Sequence, residues 1–155
     1  MAVKGQGGLR PPRCWLPALL SALLPFAVHA TAADPPLAVD DARVRLVPPV
    51  SENSVAYLTL RNRGARPVVV VGARSPVCRK VELHRMRMIR GVMEMAPIPS
   101  VTVPAHGAFR FAPGKVHLML IGLKRPMRRD DRVPIVLRTR SGAEVAVDAS
   151  VVDLR

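Results

Sequence analysis

Two imidazoles and two thioethers recur in one stretch of this sequence at a spacing suited to shared work. Ten residues separate His84 from Met95, twenty-one separate Met95 from His117, and one separates His117 from Met119. Histidine and methionine are scarce, with 4 and 7 copies in 155 residues, yet most of them fall between His84 and Met127. Thioether sulfur is a soft donor that suits Cu(I), imidazole suits several transition metals, and the set holds neither a carboxylate nor a thiolate to favour zinc, calcium or iron. A neutral set leaves an ion's charge uncompensated, so it favours a monovalent ion and weakens as imidazoles take up protons near and below pH ~6.5. For any one of these residues the plainer reading is a methionine filling a core or a histidine in water. The joint spacing is what points to one copper(I) ion.

Such a set needs strands to hold it. His117 and Met119 are two apart on a predicted strand, so both leave one face while Leu118 and Leu120 enter the core from the other. Folding His84 to Pro97 as a hairpin about Arg90 and Gly91 sets Met88 opposite Met93, Met86 opposite Met95, and His84 diagonal to Met95. That register assumes a two-residue turn, and a bulge would alter it. Four donors then converge if the two segments lie side by side.

The wider chain has the rhythm of an all-β antiparallel sandwich in one domain, short apolar runs divided by turn residues. Candidate strands are Ala42 to Leu46, Ser54 to Asn62, Pro67 to Ala73, Lys80 to Ile89, Val92 to Ile98, Gly107 to Phe111, Val116 to Ile121, Arg132 to Arg138 and Glu144 to Val152. Tyr57 and Thr59 alternate with Ala56, Leu58 and Leu60 as in a half-buried strand, whereas Val68 to Val71 reads as a central strand covered on both faces. Aromatics are only 3% of the chain, so the core must be aliphatic.

Residues 1–33 read as a signal peptide. Lys4, Arg10 and Arg13 precede an apolar run from Cys14 to Val28, and small residues at Ala30, Ala32 and Ala33 offer cleavage sites. An uncleaved N-terminal anchor is the second reading; either way residues 38–155 form an exported domain. The run is broken by Pro17 and Pro25 and is short for a span of about 20 residues, so no stable membrane insertion is expected after cleavage. The formal charge is +13. It fits an anionic partner or a genome that favours arginine, and the scatter of the arginines favours the latter. Nucleic acid is disfavoured by export and by the lack of stacking aromatics.

Loss of Cys14 with the leader would leave Cys78 alone, which excludes an intramolecular disulfide, a CxxC redox motif and a cysteine-rich zinc site. Cys78 reads as a small buried hydrophobe, with an extra thiolate ligand or intermolecular pairing as lesser readings. A blue-copper site would need it beside the histidines, yet it lies roughly 20 Å from His84 along an extended strand. No catalytic triad, carboxylate pair or phosphate loop stands out, so no enzyme is expected.

The pattern H-x10-M-x21-H-x-M, with VAYLTLRN from Val55, VGARSPVCRKVELH up to His84, GVMEM around Met93 and HLMLIGLKRPM from His117, resembles the PCu(A)C family of periplasmic copper chaperones from about Asp41 to Val152. The resemblance implies a cupredoxin-like β-sandwich, monomeric and periplasmic. It would bind Cu(I) through His84, Met95, His117 and Met119 and pass it to a respiratory cytochrome oxidase copper centre or to another copper chaperone. A copper storage or resistance module without an oxidase partner is the alternative. Met86, Met88 and Met93 depart from the pattern as extra methionines: a secondary metal set, an exchange path or, most simply, core filling. His106 is expected in solvent on a turn. No tail rich in His and Met follows the last strand, so a second copper equivalent has no evident home.

Overall fold

The computed structural model describes residues 36–154, which are all β. Ten strands follow one another: β1 Leu37–Arg45, β2 Asn53–Asn62, β3 Val68–Arg74, β4 Cys78–Ile89, β5 Val92–Pro97, β6 Val101–Val103, β7 Ala108–Phe111, β8 Val116–Leu123, β9 Arg132–Thr139 and β10 Glu144–Val152. The expected leader lies outside these residues. Among the described residues no helix is long and apolar enough to cross a membrane.

The layers belong to one continuous sheet. Its order is β5-β4-β8-β2-β1-β10-β9-β3-β6, with β7 paired to β2, and it closes on itself where β3 meets β4 at Ala73 and Val81. Closure removes most of the edge that an open sheet would present. β5 stays outside the closed path, bonded to β4 alone. All pairings are antiparallel except β1 with β10, which run parallel, a departure from the purely antiparallel expectation.

The core is aliphatic. Leu58 and Leu60 of β2, Leu83 of β4, Leu118 and Leu120 of β8, and Ile135 and Leu137 of β9 are buried together, with Phe111 as the one phenyl ring fully enclosed among the described residues. The alternation read in β2 is present: Ala56, Leu58 and Leu60 face inward while Tyr57 and Thr59 are half-exposed. β3 departs from its expectation. Only Val70 is fully buried, and Val68, Val69 and Val71 are half-covered, because nothing packs densely over the outer face of that strand. Asn62 pins the turn after β2: its side-chain amide donates to the Arg66 carbonyl and its side-chain oxygen accepts the Gly64 N–H. Two stretches were not foreseen, residues 37–41 of β1 and the three-residue β6.

Candidate metal centre

β4 and β8 lie side by side, and their register sets His84 directly opposite His117 and Glu82 opposite Met119. On the other flank β5 places Met95 opposite Met86, Met93 opposite Met88 and Pro97 opposite His84. Arg90 and Gly91 both have positive φ, at 51° and 80°, the signature of the two-residue type I′ turn assumed from the sequence. Residues directly opposite share a face, as do residues two apart on a strand. His84, Met95, His117 and Met119 therefore stand on one face of three adjacent strands. The imidazoles form the centre, with ring centroids 6.1 Å apart, and the two thioethers flank them at opposite corners.

The two histidines differ in depth. His117 is 2% exposed, roofed by Tyr57, whose ring centroid lies 6.4 Å away, whereas His84 is partly open. Burial, the dominant effect, pushes the His117 imidazole below the ordinary histidine value; the Lys115 carbonyl pulls it upward and repulsion from His84 lowers it. Burial likewise raises the Tyr57 phenol, against the pull of Arg45.

Hydrogen bonding decides which nitrogen of each ring is free. His84 Nε2 lies 2.8 Å from Glu82 Oε2. Ionised carboxylates only accept, so Nε2 carries the proton and Nδ1 keeps its lone pair. His117 Nδ1 lies 3.4 Å from the Lys115 carbonyl; a carbonyl also only accepts, which leaves the lone pair on Nε2. His84 Nδ1 and His117 Nε2 are the two buried side-chain nitrogen or oxygen atoms without a hydrogen-bond partner among the described residues. A buried polar atom left unpaired costs about 1–3 kcal/mol, and these two lone pairs, on opposed residues, have no protein N–H or O–H to accept from.

Glu82 escaped the sequence reading, although its parity with His84, two residues on, was a usable signal. Hydrogen bonding from Lys80 and then from His84 holds its carboxyl below the usual range, and it also pairs with Lys80 Nζ at 2.5 Å. A carboxylate therefore stands behind the four residues singled out, engaged with one of their histidines. Such carboxylates orient a metal-ligating imidazole and raise its basicity. Among the described residues no three His, Cys, Asp or Glu side chains converge closely enough to hold a metal.

The remaining candidates separate cleanly. Met86 is half-exposed, while Met88 and Met93 are 64% and 56% exposed. Core filling therefore fails for all three, because the β4–β5 hairpin projects beyond the barrel. Met95 is 52% exposed. Met127 is a core residue. Cys78 is buried at the far end of β4, opposite Leu123, with burial raising its thiol above the ordinary value. β4 runs on unbroken to His84, so no bend brings sulfur to the histidines. His106 is exposed, on a turn with φ 51°.

The model of the family described as LpqE-like lipoproteins matches residues 37–151. Lxx21020 of Leifsonia xyli subsp. xyli, named as a lipoprotein, is 30% identical over 142 residues, which is 88% of this chain and 86% of that one. The apo solution structure of DR1885 from Deinococcus radiodurans is 31% identical and superposes with a TM-score of 0.62 over 99% of this chain and 97% of its own. The Cu(I) form of DR1885 is 34% identical, with a TM-score of 0.58 over 81% of this chain and 84% of that one. The copper-bound PCuAC domain of PmoF2 superposes with a TM-score of 0.65 over 79% of this chain and 97% of that domain, at 20% identity, a likeness of fold. Two of these neighbours hold copper, one of them as Cu(I).

Proposed function

This chain belongs to the LpqE-like lipoprotein family, and from that premise we propose that it is an exported carrier of copper(I), with His84, Met95, His117 and Met119 as the ligands of its cargo. The observation that carries the reading is that two residues opposed across β4 and β8 each keep a buried, unpartnered nitrogen, His84 Nδ1 and His117 Nε2. Hydrogen bonds on the opposite nitrogens hold each ring in the tautomer that offers a lone pair. Two neutral imidazoles and two thioethers suit Cu(I) over harder divalent ions. The copper held by the superposable DR1885 structure supports the same choice.

A carrier must also release its ion. His117 is enclosed and His84 partly so, while Met95 stands in solvent. An incoming ligand can displace Met95 first, then Met119, while the imidazoles still hold the ion. The recipient is a copper-accepting protein outside the cytoplasm, and the cytochrome oxidase copper centre is the acceptor that the PCu(A)C resemblance suggests. Residues 1–33 serve as the export signal.

X-ray absorption of the Cu(I)-loaded protein tests the ligand set. Two nitrogen and two sulfur donors are expected at up to one equivalent of Cu(I), and the double substitution Met95→Leu, Met119→Leu should weaken binding of that equivalent. A spectrum without sulfur, or full Cu(I) affinity in the double variant, would refute the proposal. Transfer to an apo oxidase copper domain, followed by the absorption of the acceptor, separates delivery from storage.

A further inference from the structure

Four methionines form a square on one face of the β4–β5 hairpin, and the reading above employs only one of them. Met86 opposes Met95 and, one repeat nearer the tip, Met88 opposes Met93. Leaving a cluster of such side chains in water is unusual, because burying their apolar surface is favourable. Apart from Val50, every large hydrophobic side chain exposed among the described residues lies in this hairpin.

From this juxtaposition we propose that Met86, Met88 and Met93 form a second, weaker Cu(I) site at the tip of the hairpin. The three sulfurs are the soft donors that Cu(I) prefers, and neither an imidazole nor a carboxylate stands on that face of the tip to suit a harder ion. Opposed side chains in an antiparallel pair have Cβ atoms about 4.5–5.5 Å apart, and the Met86–Met93 diagonal, at about 7–8 Å, is within reach of long side chains. Three rotatable bonds let each thioether adjust without backbone movement. The type I′ turn at Arg90 and Gly91 holds the strands in the register that keeps the sulfurs on one side. Arg85 and Arg87 alternate with the methionines and occupy the opposite face of β4. Their charge disfavours divalent ions more than monovalent ones, and it keeps the site weak.

The site rests on the copper reading for the identity of its ion, and it gives a second equivalent a home that needs no His- and Met-rich tail. Copper captured at the tip lies one strand repeat from Met95, so exchange into the histidine pair needs only a short step.

The full chain labelled with methyl-13C methionine, titrated with Cu(I) under anaerobic conditions, provides the test. The first equivalent should shift the Met95 and Met119 methyl resonances, and the second those of Met86, Met88 and Met93. The Met88→Leu, Met93→Leu variant replaces exposed side chains by ones of similar volume; it should lose the second equivalent and keep the first. Tip methyls that stay still through three equivalents, or a double variant that binds as many ions as the wild type, would overturn the proposal. A first equivalent that shifts only the tip methyls and leaves those of Met95 and Met119 unmoved would refute the central site while upholding copper binding at the tip.

Discussion

Glu82 binds no cargo in this reading, yet its substitution should be felt. Its carboxylate accepts the His84 Nε2 proton at 2.8 Å, and removal frees the ring to rotate or change tautomer. Loss of a carboxylate behind a ligating histidine commonly lowers metal affinity 10–100-fold. Glu82→Leu should therefore weaken Cu(I) binding by about that factor while the far-UV spectrum stays unchanged, as read by competition with a chromophoric Cu(I) chelator. Affinity equal to the wild type would show that the bond does not orient the ring. His117 makes a second residue-scale prediction. Its imidazole is held below the ordinary value chiefly by burial, whereas the unfolded chain protonates near ~6.5. As pH falls through that value the unfolded state takes up a proton that the folded state refuses, so stability declines until the folded value is passed. The melting temperature of the apo protein should fall between pH 7.5 and 5 more steeply than that of His117→Phe. Parallel curves would remove His117 as the cause.

At the scale of the element, the hairpin is governed by its turn. Arg90 pays for a left-handed conformation that asparagine adopts readily, so Arg90→Asn should stabilise the domain by about 0.5–1 kcal/mol, measured by urea denaturation, and leave copper affinity unchanged. Gly91 presents the opposite case. A side chain there would meet nothing within 4 Å, so space is not the constraint; its φ of +80° is. Gly91→Val puts a β-branched residue where such residues are outliers and should favour a slipped hairpin. A slip of one residue would turn Met93 and Met95 toward the arginine face. Copper affinity is expected to fall while the barrel keeps its melting transition. A variant that binds as the wild type does would mean that the register withstands the strain.

Across the whole molecule, copper should act locally. The barrel closes where β3 pairs with β4, and its core strands β2, β8 and β9 bury the leucines that hold it together. β5 is exposed along its whole length and bonded on one side only. Edge strands with few buried contacts open at low free-energy cost. A ligand bridging β5, β4 and β8 therefore adds most where least is present. Hydrogen exchange should show Cu(I) protecting Val92–Pro97 strongly and the amides of β9 and β10 little. Protection spread evenly over the domain would indicate a global tightening instead.

Local rules made much of this legible in advance. Period-two alternation put His117 and Met119 on one face, and the turn chemistry of Arg90 and Gly91 set the pairing of Met86 with Met95; both depend on a few neighbouring residues. The fold class followed from the same short-range pattern. Local pattern failed where the pattern itself is broken: a bulge between Asp40 and Arg43, with Asp41 at φ 59°, interrupts the alternation of β1, and β6 is three residues long between two prolines. Only the closed sheet decided that β4 lies against β8 with His84 opposite His117, that one imidazole is buried beside Tyr57, and that the methionines of the hairpin stand in solvent instead of a core. Burial and strand neighbours depend on segments far apart in the chain. No window around His84 contains the residues that leave its nitrogen without a partner.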